Sequence, residues 1–351
     1  MIRVGLIGCG FIAKKHVKTL STFEELELKA VSDIDQDKMQ EISSLYGVMT
    51  RKKYSITLYN NYEQLIKDPT IDVVIIATIS SLHAVMAKEA LKYGKHTIIE
   101  KPLALSLNDA DEIIQLSKTK NKQVLVCHQL RYRPLLEKIK DLLNKNYFGK
   151  LYFSAISLRL NRSFDYYNSS TWKGTWEKDG GMLLNQGIHL VDLLIWFMGA
   201  AHSVYGEIDT KIQNKETEDI ATGIITFKNQ AKGIIEANTI SIPENLGYSL
   251  SIFGEKGNIC IGGKEFNKID HCYIENYPNI KEDLLKVEHE SNEHERMYRA
   301  FIKSITKSKS HLMNAEEGRK ALELIFALYQ SDRNGKVVSL PVRNFTTTDM
   351  L

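Results

Sequence analysis

Residues 1–128 repeat one alternation: a short apolar or β-branched run, a turn, then a longer stretch of helical character. A strand followed by a helix re-enters its own sheet only through a crossover, so this alternation calls for a parallel sheet wrapped by helices. The spacing predicts strands at Ile2–Ile7 and at residues 27–32, 73–78, 96–100 and 123–128. The run Val73-Val74-Ile75-Ile76-Ala77 has no polar position, as a strand covered on both faces requires. The expected sheet is therefore doubly wound.

Beyond Arg131 the texture changes to longer polar/apolar alternation broken by tight turns. Residues 221–227 and 231–239 flank Lys228-Asn229-Gln230, and residues 249–253 and 258–261 flank Gly254-Glu255-Lys256-Gly257. Both read as antiparallel hairpins. Helices are expected at 183–198 and at 315–330, with a short strand at 337–340. The 351 residues exceed one ordinary core. We expect an α/β Rossmann domain over 1–128 and an α+β domain with a large, mostly antiparallel sheet over 129–351, whose final helix is a candidate to pack back on the first domain.

Composition narrows the class. With 43% hydrophobic and 25% charged residues the chain matches the soluble globular average, and no stretch approaches the roughly 20 apolar residues that span a bilayer. The start enters an apolar strand at once, which does not resemble a signal peptide, and points to the cytoplasm. Cys9, Cys127, Cys260 and Cys272 lie far apart, as isolated thiols do. A net charge of +3 with scattered lysines argues against nucleic-acid and membrane partners. No repeat or low-complexity tract is evident.

Gly8-Cys9-Gly10-Phe11-Ile12-Ala13 follows the first strand and opens a helix. In that setting a GxGxxA pattern has physical meaning: Gly8 permits the turn, Gly10 lets a pyrophosphate approach the backbone, and Ala13 allows close helix–strand packing. The helix N-terminus then faces an anion. Asp33 ends the second strand about 20 residues beyond the glycines, where a carboxylate accepts hydrogen bonds from ribose hydroxyls. An acid there repels a 2′-phosphate, so NAD is expected over NADP, although Lys38 or Arg51 leaves NADP open as the lesser alternative. Thr78, His83 and Gln129 are further cofactor-side candidates.

Glu100-Lys101-Pro102 stands at the end of an apolar strand, on the carboxyl edge where open α/β sheets bind ligands. Lys101 can hydrogen-bond a reacting hydroxyl, and Pro102 fixes the backbone, with a cis bond as one option. Glu100, Lys101 and Pro102 also count as cofactor-side candidates. In the helix at 183–198, Asn185, His189 and Asp192 fall at i, i+4 and i+7, on one face, while nearly all other positions are apolar. A neutral imidazole there can accept a hydroxyl proton, with Asp192 or Asn185 setting its tautomer.

Together, Gly8 to Ala13, Glu100-Lys101-Pro102 and Asn185-Gln186-Gly187-Ile188-His189-Leu190-Val191-Asp192 resemble the glucose-fructose oxidoreductase/inositol dehydrogenase/rhizopine catabolism (Gfo/Idh/MocA) family over nearly the whole chain. The resemblance implies a Rossmann domain joined to an antiparallel-sheet domain, NAD or NADP as cofactor, and sugars or cyclitols as substrates. It maps the family's usual catalytic lysine and histidine onto Lys101 and His189. Inositol dehydrogenases resemble Asp-x-x-x-His at this helix, whereas this chain has Asn185-x-x-x-His189. The Asn form is more like branches acting on nucleotide-linked amino sugars or their uronates.

The segment Arg159-Leu160-Asn161-Arg162-Ser163-Phe164-Asp165-Tyr166-Tyr167-Asn168, with Trp172-Lys173-Gly174-Thr175-Trp176, places aromatic faces beside cations and amides. A sugar bearing a carboxylate or phosphate uses such groups. Arg131, Arg162, Tyr166 and Trp172, together with Lys101, Asn185 and His189, are the substrate-side candidates. His289-Glu290-Ser291-Asn292-Glu293-His294 imitates a zinc motif, but its histidines would stand about 140° apart on a helix and cannot share an ion, so a solvated charged face and no metal are expected.

The expected activity is hydride transfer between a secondary ring hydroxyl of a nucleotide-linked or otherwise anionic sugar and NAD, with Lys101 and His189 as the proton-transfer pair. The alternatives are an inositol or free-sugar dehydrogenase, a glycosidase that retains NAD, and a non-catalytic NAD sensor. A broad antiparallel sheet needs a cover on its open face, so a homodimer or homotetramer is expected.

Overall fold

The computed structural model describes residues 1–51, 55–212, 215–287, 292–307 and 313–351. These form two compact units: Met1–Cys127 with Asn292–Gly318, and His128–Ser291 with Arg319–Leu351. The first unit thus includes a stretch from late in the chain. Helix Glu293–Lys307 accounts for it, because its Tyr298 hydroxyl reaches His16 on helix Phe11–Leu20 at 2.6 Å.

The first unit holds six parallel strands, β1 (Ile2–Ile7), β2 (Leu26–Ser32), β3 (Thr57–Tyr59), β4 (Val73–Ile76), β5 (His96–Ile99) and β6 (Val124–Val126), in the order β3-β2-β1-β4-β5-β6. The order reverses at β1/β4, which opens a crevice above the carboxyl ends of those strands. Every β4 residue is buried, as its unbroken apolar run requires. Local chemistry sets several helix starts: the Asp35 side chain accepts from the backbone of Asp37 and Lys38, and Ser106 caps Leu107–Thr119 through Asp109 N–H. Strand β3 has no counterpart in the sequence reading, being only three residues long and mostly exposed. The observed strands also stop short of the expected ends, so Thr78, Glu100 and His128 fall in the loops that follow them.

The second unit is built on an eight-stranded sheet of β7 (Leu151–Arg159), β8 (Ala201–Asp209), β9 (Ile220–Phe227), β10 (Lys232–Asn238), β11 (Gly247–Gly254), β12 (Gly257–Gly263), β13 (Lys268–Ile274) and β14 (Val338–Ser339). Its order is β13-β12-β11-β7-β10-β9-β8-β14, antiparallel apart from β7 with β10. Both expected hairpins are present, β9/β10 and β11/β12. Alternate residues of β9, Ala221, Gly223, Ile225 and Phe227, face the packed side, while Ile224 is 60% exposed on the other.

Two expectations need correction. The helix at 183–198 is not uniform: Leu183–Gly187 form a π-turn that passes into an α-helix over Ile188–Met198. The apparent zinc motif is not a solvated face where it is described, since Glu293 and His294 are buried and the His294 ring packs edge-on 6.3 Å from that of His16. The helix carries Met297, Tyr298 and Phe301 into the core, and Glu293 and His294 at its start are buried with them. His289 and Glu290 lie outside the described residues.

Candidate active site

In the first unit, the glycine loop leaves β1 and enters helix Phe11–Leu20. Gly8 has φ +91°, and a Cβ on it would meet the Ala77 carbonyl oxygen at 2.5 Å, so only glycine fits. Gly10 has φ −78° and open space where its Cβ would stand. Ala13 is fully buried against the sheet, while Phe11 at the helix start is 93% exposed; Ile12 follows it into the first turn.

Asp33 folds back on this loop: one oxygen accepts from Cys9 N–H at 2.6 Å and the other from Asp35 N–H at 3.0 Å. The carboxylate is thereby fixed at the end of β2, next to the 99% exposed side chain of Ile34, which sequence reasoning passed over. Lys38 pairs with Asp35 at 3.0 Å, on the outer side of the same turn. Open space beside Gly10, a helix start next to it and an anchored acid suit a dinucleotide, whose pyrophosphate the loop would face and whose ribose Asp33 would face.

The peptide joining Lys101 to Pro102 is cis. His83 ties this loop to the preceding one, its Nδ1 2.7 Å from the Pro102 carbonyl and its Nε2 3.2 Å from that of Thr78. Burial pushes its pKa down, which favours the neutral ring. His83 thus acts from behind the loops, whereas Thr78 is partly exposed.

Glu100 is buried as well. Burial alone would raise its pKa, but the hydrogen bond and charge of His16, helped by Lys101 and His294, outweigh this and bring it down to about 2. His16 bridges Glu100 at 2.9 Å and the Tyr298 hydroxyl at 2.6 Å, while the second Glu100 oxygen accepts from Lys101 N–H at 3.3 Å. A buried, ionised Glu100 therefore anchors the backbone of Lys101. His16, Glu100 and Cys127 place donor atoms within 4.8 Å of one another, but the 2.9 Å His16–Glu100 contact is a hydrogen bond already made.

In the second unit, the three polar residues of the 183–198 segment have separate anchors. Asn185 Nδ2 donates to Asp179 Oδ1 at 2.6 Å. Asp192 receives a two-pronged grip from Arg131, Nε to Oδ2 at 2.8 Å and Nη2 to Oδ1 at 2.7 Å, with His128 Nδ1 at 3.6 Å. The cation assigned to substrate and the acid assigned to tautomer control are thus paired with each other, and the Arg131 guanidinium also lies 5.4 Å over Trp196. His189 is half-buried, its ring 5.7 Å from that of His128 in an edge-on arrangement. Gln129 is partly exposed on the short helix that carries Arg131.

The aromatic segment divides cleanly. Trp176 is a core residue, packed at 5.2 Å against Tyr329, whereas Trp172 is partly exposed. Arg162 and Lys173 stack on the Tyr166 ring at 5.2 and 4.2 Å, and Gln186 Nε2 donates to the Tyr166 hydroxyl at 3.2 Å. Lys173 and Gln186 lie inside segments the sequence marked but were not themselves named as candidates, since their meeting at Tyr166 is a tertiary contact. Arg159 pairs with Glu236 across the sheet.

A Rossmann unit with an anchored glycine loop, joined to a unit of mostly antiparallel sheet, defines an NAD-binding oxidoreductase. The model of the oxidoreductase family with NAD-binding Rossmann fold matches residues 2–128, and that of the family's C-terminal alpha/beta domain matches residues 140–340; the chain belongs to the Gfo/Idh/MocA family. It is 31% identical to the WlbA dehydrogenase of Chromobacterium violaceum, solved with NADH and UDP-GlcNAcA, at a TM-score of 0.89 over 97% of this chain and 96% of that one. The corresponding Bordetella pertussis enzyme, in the same complex, is 28% identical with a TM-score of 0.88 over 97% and 99% of the two chains. A myo-inositol 2-dehydrogenase of Thermotoga maritima is 25% identical over 97% of this chain and 98% of its own.

Proposed function

We propose that the protein oxidises a secondary ring hydroxyl of a nucleotide-linked sugar that carries a carboxylate, with NAD as cofactor, or runs the same step in reverse. The observation that carries this reading is the stack of Arg162 and Lys173 on Tyr166, a paired cationic surface close in sequence to Asn185 and His189. Paired cations beside an aromatic face suit an anionic sugar better than a neutral cyclitol. The likeness to the two WlbA dehydrogenases supports the same reading.

In the proposed step His189 accepts the hydroxyl proton while Lys101 hydrogen-bonds the oxygen, and the carbinol becomes a ketone. A bound NAD would supply the hydride acceptor for the carbinol carbon, and the protein supplies position and charge. Gly8, Gly10, Phe11, Ile12, Ala13 and Asp33 would hold the cofactor, with Thr78, Pro102 and Gln129 as further contacts. Arg162, Lys173 and Tyr166 orient the sugar, with Trp172 beside them. His83, Glu100, Asp192 and Arg131 serve from behind, by fixing the backbone and the helix that carry the reacting groups. We further propose a homodimer or homotetramer formed through the exposed sheet face.

NADH formation measured with UDP-GlcNAcA, myo-inositol and free aldoses tests the substrate class. The expected result is turnover with UDP-GlcNAcA at a kcat/KM at least about 100-fold above the neutral substrates, the scale of one well-placed charged contact. Preference for myo-inositol, or release of free sugar without net NADH, would contradict it.

A further inference from the structure

Position 185 carries an amide in this chain, yet the structure places a buried carboxylate on it. Asp179 is 2% exposed and both of its oxygens are engaged: Oδ1 accepts from Asn185 Nδ2 at 2.6 Å and Oδ2 from Gly174 N–H at 2.9 Å. Its own N–H and that of Gly180 both donate to the Thr175 carbonyl at 3.0 Å, so the acid sits in a closed turn that cannot easily swing away. Gly180 and Gly181 follow at φ +88° and +109° and lead the chain into the π-turn that carries Asn185.

This geometry removes an ambiguity that an amide otherwise has. Asp179 Oδ1 accepts from Asn185 Nδ2, so the side of Asn185 that faces Asp179 is its NH2 group, and its carbonyl Oδ1 points the opposite way. We infer that Asp179 is a positioning residue that holds Asn185 as an oriented hydrogen-bond acceptor, one turn before His189. The pair presents a carbonyl oxygen where an aspartate would present a carboxylate oxygen, while the negative charge stays buried behind it. The residue nearer the reacting groups is therefore neutral, and it does not repel an anionic sugar. A short, charge-assisted bond to a fixed anion is also stronger than a neutral one, which keeps the amide from flipping.

The inference rests on the proposed dehydrogenase reading, and the test separates the two. Four proteins are compared: wild type, Asp179→Asn, Asn185→Asp and the swap Asp179→Asn/Asn185→Asp. Each is assayed for NADH formation with UDP-GlcNAcA, for NAD affinity and for thermal stability. Asp179→Asn is expected to lower kcat by about 10- to 100-fold, the cost of losing alignment by part of an ångström, with NAD affinity within about twofold. Because the swap rebuilds an acid–amide bond across the same two positions, it is expected to regain the melting temperature lost in Asp179→Asn but, with the charge now on the sugar side, not its kcat. Full kcat in Asp179→Asn, or full kcat in a folded swap variant, would overturn the inference.

The side-chain amide resonances of Asn185 provide a readout that needs no substrate. In wild type they should exchange slowly with solvent and in Asp179→Asn quickly; equal exchange in both would overturn the inference. Slow exchange in a wild type that turns over no sugar would instead count against the dehydrogenase reading alone.

Discussion

Gly8 and Gly10 stand two residues apart in one loop, yet they answer to different demands. Gly8 is required by the fold, for its φ is positive and the Ala77 carbonyl leaves no room for a Cβ. Gly10 has an ordinary φ and open space beside it, so nothing in the fold itself requires its lack of a side chain, and the proposed cofactor contact accounts for it. Gly8→Ala is therefore expected to cost on the order of 2 kcal/mol or more of stability by combining strain with a clash. Gly10→Ala is expected to stay within about 1 kcal/mol of wild type and still weaken NAD binding at least about tenfold. Thermal melts paired with NAD titrations check both. Loss of stability in Gly10→Ala with unchanged NAD affinity would contradict this division. The motif was legible in the sequence, but which of its glycines the fold itself requires was not, because that depends on Ala77, in the loop that follows β4. The same holds for Glu100: the sequence marks it, but its partner His16 and the Tyr298 hydroxyl that His16 meets in turn come from two helices that no motif connects.

The element that carries Asn185 and His189 begins in an unusual way. Glu218, on the segment before β9, accepts Leu183 N–H at 2.8 Å and the Tyr329 hydroxyl at 2.6 Å through one oxygen, so a carboxyl group serves the first residue of the π-turn. Burial pushes its pKa up to about 7, against the opposing hydrogen bonds of Tyr329 and Leu183 and the nearby Lys215 cation. A group whose folded pKa is raised keeps its proton in the folded state over a range where the unfolded chain has released it. Stability is then full below the ordinary value of 4.5 and declines as pH rises through about 7. The expected loss from this group is on the order of 1–3 kcal/mol between pH 4.5 and 8. Glu218→Gln keeps the accepting oxygen and removes the titration, so denaturant melts across that range should show a flatter pH profile in the variant. A wild-type profile no steeper than that of Glu218→Gln would contradict the assignment. Apolar periodicity revealed that a buried helix lies at 183–198. It could not reveal the π-turn, nor the crowding just before it at Gly181, where a Cβ would meet the Tyr329 hydroxyl at 2.4 Å and a Glu218 oxygen at 2.6 Å.

At the scale of the whole molecule, the alternation of strands and helices was sufficient to read both architectures, because parallel and antiparallel sheets leave different apolar periods. What it could not place was helix Glu293–Lys307, which groups with the first unit although it lies between two stretches of the second in sequence. An amphipathic pattern states that a helix has a buried face and not what buries it. The eight-stranded sheet leaves Tyr205, Ile224, Ile234, Phe253 and Tyr273 exposed, an apolar row of the kind that self-association covers. Sedimentation should give a dimer or tetramer for wild type and a shift toward monomer for Ile224→Lys; a wild-type monomer would contradict the proposed assembly. The central claim is that Lys101 and His189 move the proton while hydride passes from a sugar carbinol to NAD, and Lys101→Ala tests it most directly. NADH formation with UDP-GlcNAcA should fall by at least about 100-fold in this variant, with NAD affinity and melting temperature close to wild type. A folded, NAD-binding Lys101→Ala protein that keeps full turnover would contradict the account.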